Sequence, residues 1–184
     1  MSEETVRCFL GVPLQSEVTV ALDQTVNALK LLPVARKVKW VGAANRHLTL
    51  AFLGDQSLDV VFSLQAALQT PCSSLKAFDL SSTVVSGFPD AKSSIVALEL
   101  DSTEMLLALV DAIQSILIAQ GLPVEKRRYR PHVTLGRLHR GQSWKQAPQS
   151  CELLLPVQSV VMYQSRLSAA GAQYTPLWSL PLQG

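Results

Sequence analysis

Histidine and cysteine are scarce in this chain of 184 residues, three of each, and charged side chains make up only 16% of it. The cysteines Cys8, Cys72 and Cys151 are odd in number and widely spread. That fits reduced packing residues of a cytoplasmic protein better than a disulfide framework or a thiolate zinc cluster. No apolar run is long enough to span a membrane. Cys8 to Leu14, behind the polar and acidic stretch Met1 to Thr5, is too short and wrongly flanked for a signal peptide. His-Glu-x-x-His, paired Cys-x-x-Cys, an Asp-rich loop and a Gly-rich phosphate loop are all missing, so neither metal nor cofactor is expected. No linker, low-complexity tract or charge block divides the chain. With 48% hydrophobic residues there is material for one core, and residues 1–184 read as a single domain.

What is present alternates strands with helices. Cys8 to Leu14 reads as a strand. Ser16 can cap a helix to about Leu32 with Val18, Ala21, Leu22, Val26 and Leu29 on one face. Val38 to Val41 and His47 to Leu53 follow as strands, the second closed by the turn signal Gly54-Asp55, and Leu58 to about Thr70 is helical. Phe78 to Val85 and Ser94 to Leu100 form a strand pair around the loop from Ser86 to Asp90. Ser102 or Thr103 caps a third helix with the stripe Leu106, Leu109, Val110, Ile113 and Leu117, stopped by Gly121 and Pro123. Arg130 to Leu138, Val157 to Gln164 and Tyr174 to Leu180 supply the last strands. Pro131 marks either a strand start or an edge. Mixed helix and sheet is the expected class.

The net charge is only +2, but seven of the 16 basic residues fall between Lys126 and Lys145, uninterrupted by Asp or Glu. Lys126, Arg127, Arg128, Arg130, Arg137, Arg140 and Lys145 either attract a polyanion or form a solvated basic loop.

Two segments echo one another. His47-Leu48-Thr49-Leu50 returns 85 residues later as His132-Val133-Thr134-Leu135. Nine threonines in 184 residues give any histidine about a 5% chance of a threonine two places on, yet two of three histidines have one. A duplication with twofold-related lobes would bring the two motifs to one shared cleft. On a strand, residues i and i+2 share a face, so each histidine projects beside its own threonine. In-line hydrolysis of a phosphodiester needs a base for water and an acid for the departing oxygen. A pair of imidazoles supplies both near neutral pH, and Thr49 and Thr134 can donate to the non-bridging oxygens. His139, the spare histidine, either touches substrate or lies on the surface of a basic turn.

These motifs carry a resemblance over nearly the whole chain to the two-histidine phosphoesterases, and within them to the RNA 2′,3′-cyclic phosphodiesterases, also called 2′-5′ RNA ligases. The matching segments are Arg7 to Pro13, His47 to Gly54, Arg130 to Arg137, and Ser165-Arg166-Leu167 with Gly171 and Tyr174 to Leu177. The resemblance implies an α+β fold of two pseudo-symmetric βα lobes, each with an antiparallel sheet and packed helices, flanking a central cleft. It also implies metal-independent hydrolysis of RNA 2′,3′-cyclic phosphate ends to 2′-phosphates, with His47 as proton donor and His132 as proton acceptor. Ligation through a 2′-5′ bond would be the reverse reaction. Arg130, Arg137 and Phe9 are candidate substrate contacts: Arg130 shares strand parity with His132, Arg137 should face away unless the strand twists or ends, and Phe9 either stacks on a base or, as strand phenylalanines more often do, packs in the core. Arg46, where family members often carry an apolar residue, adds phosphate affinity or points to solvent, and Asn45 is equally open. A monomer is assumed, since one cleft holds both histidines. Two alternatives stay open: another activity on this scaffold, such as a 2′-5′ oligonucleotide phosphodiesterase or a nucleoside cyclic phosphate hydrolase, and a non-catalytic RNA-binding module.

Overall fold

A computed structural model describes residues 4–168 and 171–184. In chain order the elements are β1 (Thr5–Pro13), α1 (Ser16–Leu29), a 3-10 turn (Pro33–Lys37), β2 (Lys39–Trp40), a second 3-10 turn (Ala43–Asn45), β3 (His47–Ser57), α2 (Leu58–Ser74), β4 (Phe78–Phe88) and β5 (Ile95–Leu100). Then come α3 (Glu104–Ala119), β6 (His132–Arg137), β7 (Gln149–Ser150), β8 (Leu154–Val157), β9 (Ser159–Ser168) and β10 (Gly171–Pro181). No helix among the described residues is long and apolar enough to cross a membrane.

The strands hydrogen-bond in the order β10-β9-β1-β3-β6-β5-β4-β7, with β2 added to β6 and β8 to β4. All these strand pairs are antiparallel. The path divides into two halves that meet between β3 and β6 through one residue pair, Leu48 opposite Val133. These are equivalent positions of the two motifs, so the pseudo-twofold axis passes between them. Alternation then sorts the side chains: Leu48, Leu50, Val133 and Leu135 are buried, while His47, Thr49, His132 and Thr134 share the opposite, half-buried face.

The buried face is covered by helices. α2 offers Val61, Leu64, Leu68 and Cys72, and α3 offers Leu106, Leu109, Val110, Ile113 and Leu117, the stripe read from the sequence. Thr103 caps α3 by accepting from the amide of Leu106. The three cysteines are free and buried.

The structure departs from the sequence reading in several places. β3 runs through Gly54-Asp55 to Ser57 instead of turning there. Leu53 is the unpaired residue of a bulge opposite Cys8 and Phe9, and Gly54 absorbs it at φ 73°. Ser86 to Phe88 belong to β4 and pair with β5 rather than forming a loop. α1 stops at Leu29, because Leu32 must be extended before Pro33. Ser16 is its first helical residue and spends its hydroxyl on Glu17 instead of capping. α2 continues past Pro71 to Ser74. Pro131 precedes β6, a central strand, so the edge alternative falls away.

Candidate active site

Antiparallel pairing at Leu48 and Val133 sets Thr49 across from His132 and His47 across from Thr134. The two motifs thus contribute four polar side chains to one face. Each imidazole is oriented in the same way: Nδ1 of His47 lies 2.9 Å from the carbonyl of Asn45, and Nδ1 of His132 lies 2.9 Å from the carbonyl of Arg130. A carbonyl only accepts, so Nδ1 carries the proton and, in the neutral ring, Nε2 keeps its lone pair. For His47 that Nε2 is 3.0 Å from the Thr49 hydroxyl. The second motif does not repeat this bond among the described residues.

Each ring also rests on a phenylalanine. Phe9 of β1 stacks on His47 with centroids 4.6 Å apart, and Phe88 of β4 stacks on His132 at 3.9 Å. The surroundings then diverge. The Tyr174 ring stands perpendicular to His47 with centroids 5.1 Å apart, Tyr163 lies at 6.0 Å, and burial in this casing, with a smaller contribution from His132, drives the pKa of His47 down to about 4. His132 is lowered mainly by burial, with Arg137 and Arg130 adding to the effect; the Arg130 carbonyl and Glu99 oppose it. Both rings are held toward the neutral form. Gly11 makes room for the first motif: a Cβ there would lie 3.0 Å from the Leu48 carbonyl and 3.4 Å from the His47 ring.

Arg130 lies just outside β6, exposed, with its guanidinium 4.8 Å above the Phe88 ring and hydrogen-bonded to Glu99 and to the Pro89 carbonyl. By simple alternation Arg137 faces away from His132. A bulge reverses that outcome: Ala97 pairs with Thr134 and Val96 with Gly136, leaving Leu135 unpaired. Beyond it Leu138 is buried, while Arg137 is exposed on the histidine face and acts on the His132 charge. The first motif has its bulge at the equivalent Leu50, which puts Phe52 in the matching place, 70% exposed.

The likeness seen in the motifs extends to known proteins. The family model described as the 2′-5′ RNA ligase superfamily matches residues 18–164. The chain belongs to the 2′-5′ RNA ligase superfamily. Within it, the chain is 30% identical over 135 residues to an RNA 2′,3′-cyclic phosphodiesterase of Bacillus subtilis (strain 168), covering 73% of this chain and 72% of that one. A Thermotoga maritima protein of the same name is 24% identical and covers 97% of both chains. Among solved structures, apo LigT of E. coli superposes with TM-score 0.80 at 25% identity, over 98% of this chain and 99% of that one.

In this member of the superfamily, tertiary contacts decide between the alternatives at Phe9 and overturn both at Arg46. Phe9 is 2% exposed beneath His47, so its face is closed to a base. Arg46 neither meets solvent nor reaches toward phosphate: it is 6% exposed and ties the second 3-10 turn to α1 through Asp23 at 2.7 Å and to the Val41 carbonyl at 3.2 Å. Asn45 donates its amide to the Ala172 carbonyl, anchoring the turn that holds His47. His139 is exposed in a basic groove with Arg137. Sequence reasoning missed Phe52, Phe88 and Tyr129, whose hydroxyl donates to the Thr49 carbonyl at 2.8 Å and so locks the first motif from the other half. Only Phe52 had a signal in the sequence, its place five residues after a motif histidine.

Proposed function

We propose that this chain, acting as one bilobal domain, hydrolyses the 2′,3′-cyclic phosphate at an RNA 3′ end to a 2′-phosphate. The observation carrying this reading is the meeting of the two His-x-Thr motifs at Leu48 and Val133, with all four polar side chains on one face. The relatives named RNA 2′,3′-cyclic phosphodiesterase support the substrate class.

In the proposed step His132, whose Nε2 holds a lone pair, takes a proton from water as the water oxygen bonds to phosphorus. The P–O3′ bond breaks, and O3′ receives a proton from His47. Each positioned transfer contributes on the order of 10²- to 10⁴-fold. Neutral His47 has no proton on Nε2 to give, so the substrate must raise its pKa: a phosphate anion beside the buried ring favours the imidazolium and offsets its desolvation. Thr49 and Thr134 donate to the non-bridging oxygens, and Arg137 adds a charge that no carboxylate among the described residues neutralises. Phe52 offers an exposed ring for the terminal base. The scheme uses no metal and one cytoplasmic chain, and run backwards it would join ends through a 2′-5′ bond.

Incubation in chelator with a short RNA ending in a 2′,3′-cyclic phosphate, resolving 2′- from 3′-phosphate products, tests the reading. Wild type is expected to make the 2′-phosphate while His47→Ala and His132→Ala lose turnover by at least about 100-fold and still bind. RNA binding without turnover by wild type would favour a binding module instead.

A further inference from the structure

β2 brings Lys39 directly opposite Arg137, so two cations of the same sign face each other across an antiparallel pair on the histidine side of the sheet. Like charges directly opposite destabilise a strand pair unless something negative lies between them. This pair lines a groove of about 560 Å³ together with Arg36, Lys37, His139 and Gln142 among others. Among the described residues its lining holds no carboxylate, and none of its four Lys and Arg side chains makes an ion pair. The pocket on the other flank of His132 differs: it is smaller, about 270 Å³, and Glu99 within it already pairs with Arg130.

We propose that this groove is a subsite for the phosphates of the RNA strand on the 5′ side of the reacting nucleotide, making oligoribonucleotides rather than cyclic mononucleotides the preferred substrates. The inference rests on the hydrolytic reading above and adds a path for the strand. A single-stranded polyanion suits a solvent-open, carboxylate-free channel better than a compact ligand does, since successive phosphates can each release counterions there. Arg36, Lys37 and Lys39 come from one segment and Arg137 and His139 from another, so the groove exists only where β2 joins β6.

The test compares a 2′,3′-cyclic mononucleotide with an RNA of about eight nucleotides ending in the same cyclic nucleotide, each at two salt concentrations. Wild type is expected to turn over the RNA with the higher kcat/KM and with a steeper loss on adding salt, by about 0.7 in the log–log slope for each groove phosphate. The double variant Arg36→Ala/Lys37→Ala is expected to lose about tenfold or more in kcat/KM on the RNA and to flatten its salt dependence, while mononucleotide turnover changes less than about twofold. Equal salt slopes for the two substrates in wild type, or equal losses on both in the variant, would overturn the groove assignment. Absence of turnover on both substrates in wild type would instead overturn the hydrolytic reading.

Discussion

The imidazole of His132 lies flat on the ring of Phe88, with centroids 3.9 Å apart and planes inclined by 23°. Phe88 is itself held under Arg130, and its partner in the other half is Phe9 beneath His47 at 4.6 Å. Stacking fixes the ring plane and the carbonyl of Arg130 fixes its rotation, so Nε2 keeps one heading. Phe88→Leu is expected to keep the fold, at a cost under about 1.5 kcal/mol, while kcat falls about 10- to 100-fold because a loosened imidazole is misaligned with water. Thermal unfolding alongside steady-state kinetics checks it. Unchanged kcat would show that the carbonyl bond suffices.

The pH behaviour of His47 follows from its casing. Its pKa near 4 leaves it neutral in the free protein at pH 7. An anion that favours the imidazolium must raise that value, so binding takes up a proton between the free and bound pKa values. Affinity for sulfate, which stays fully ionised over this range, is therefore expected to strengthen as pH falls from neutrality and to level off below about 4. An NMR titration of the imidazole signals, with and without sulfate, measures both limits. A free-state midpoint near the ordinary histidine value would contradict the role given to burial.

Phe52 and Phe9 differ in kind, and truncation separates them. Phe52→Ala removes an exposed ring and is expected to raise KM for RNA about tenfold or more with little change in stability, in line with about 1–3 kcal/mol for a stacked base. Phe9→Ala empties a core position and is expected to cost about 3–5 kcal/mol in unfolding free energy. Equilibrium denaturation and KM together distinguish the two. If Phe52→Ala leaves KM unmoved, the base stacks elsewhere.

Arg137 and Arg130 are predicted to behave unequally toward phosphate. Arg137→Ala is expected to weaken binding of a 2′-phosphate product by about tenfold or more, the value of a hydrogen bond to a charged group. Arg130→Ala, whose guanidinium is already engaged by Glu99 and Pro89, is expected to act chiefly on kcat through Phe88. Calorimetric titration with product compares the two variants, and equal losses of affinity would return Arg130 to the phosphate site.

The secondary structure and the shared face of each histidine and its threonine are legible in one dimension. The stripe of α3 and its Thr103 cap depend on residues within a few positions of one another, and so does the placement of His47 beside Thr49 and of His132 beside Thr134. Arg46 is not legible in this way because its partner Asp23 sits on another element, nor is Phe9, because its accessibility depends on β3 and β9 flanking it.

By itself the sequence determined two equivalent strands, each with an imidazole and a hydroxyl on one face, since side-chain period is a local property of the backbone. Only the tertiary structure decided that Leu48 meets Val133, that a bulge at Leu135 turns Arg137 toward His132, and that Lys39 stands opposite it. Register between distant strands is chosen by the packing of the whole sheet against its helices, and no run of neighbouring residues encodes it.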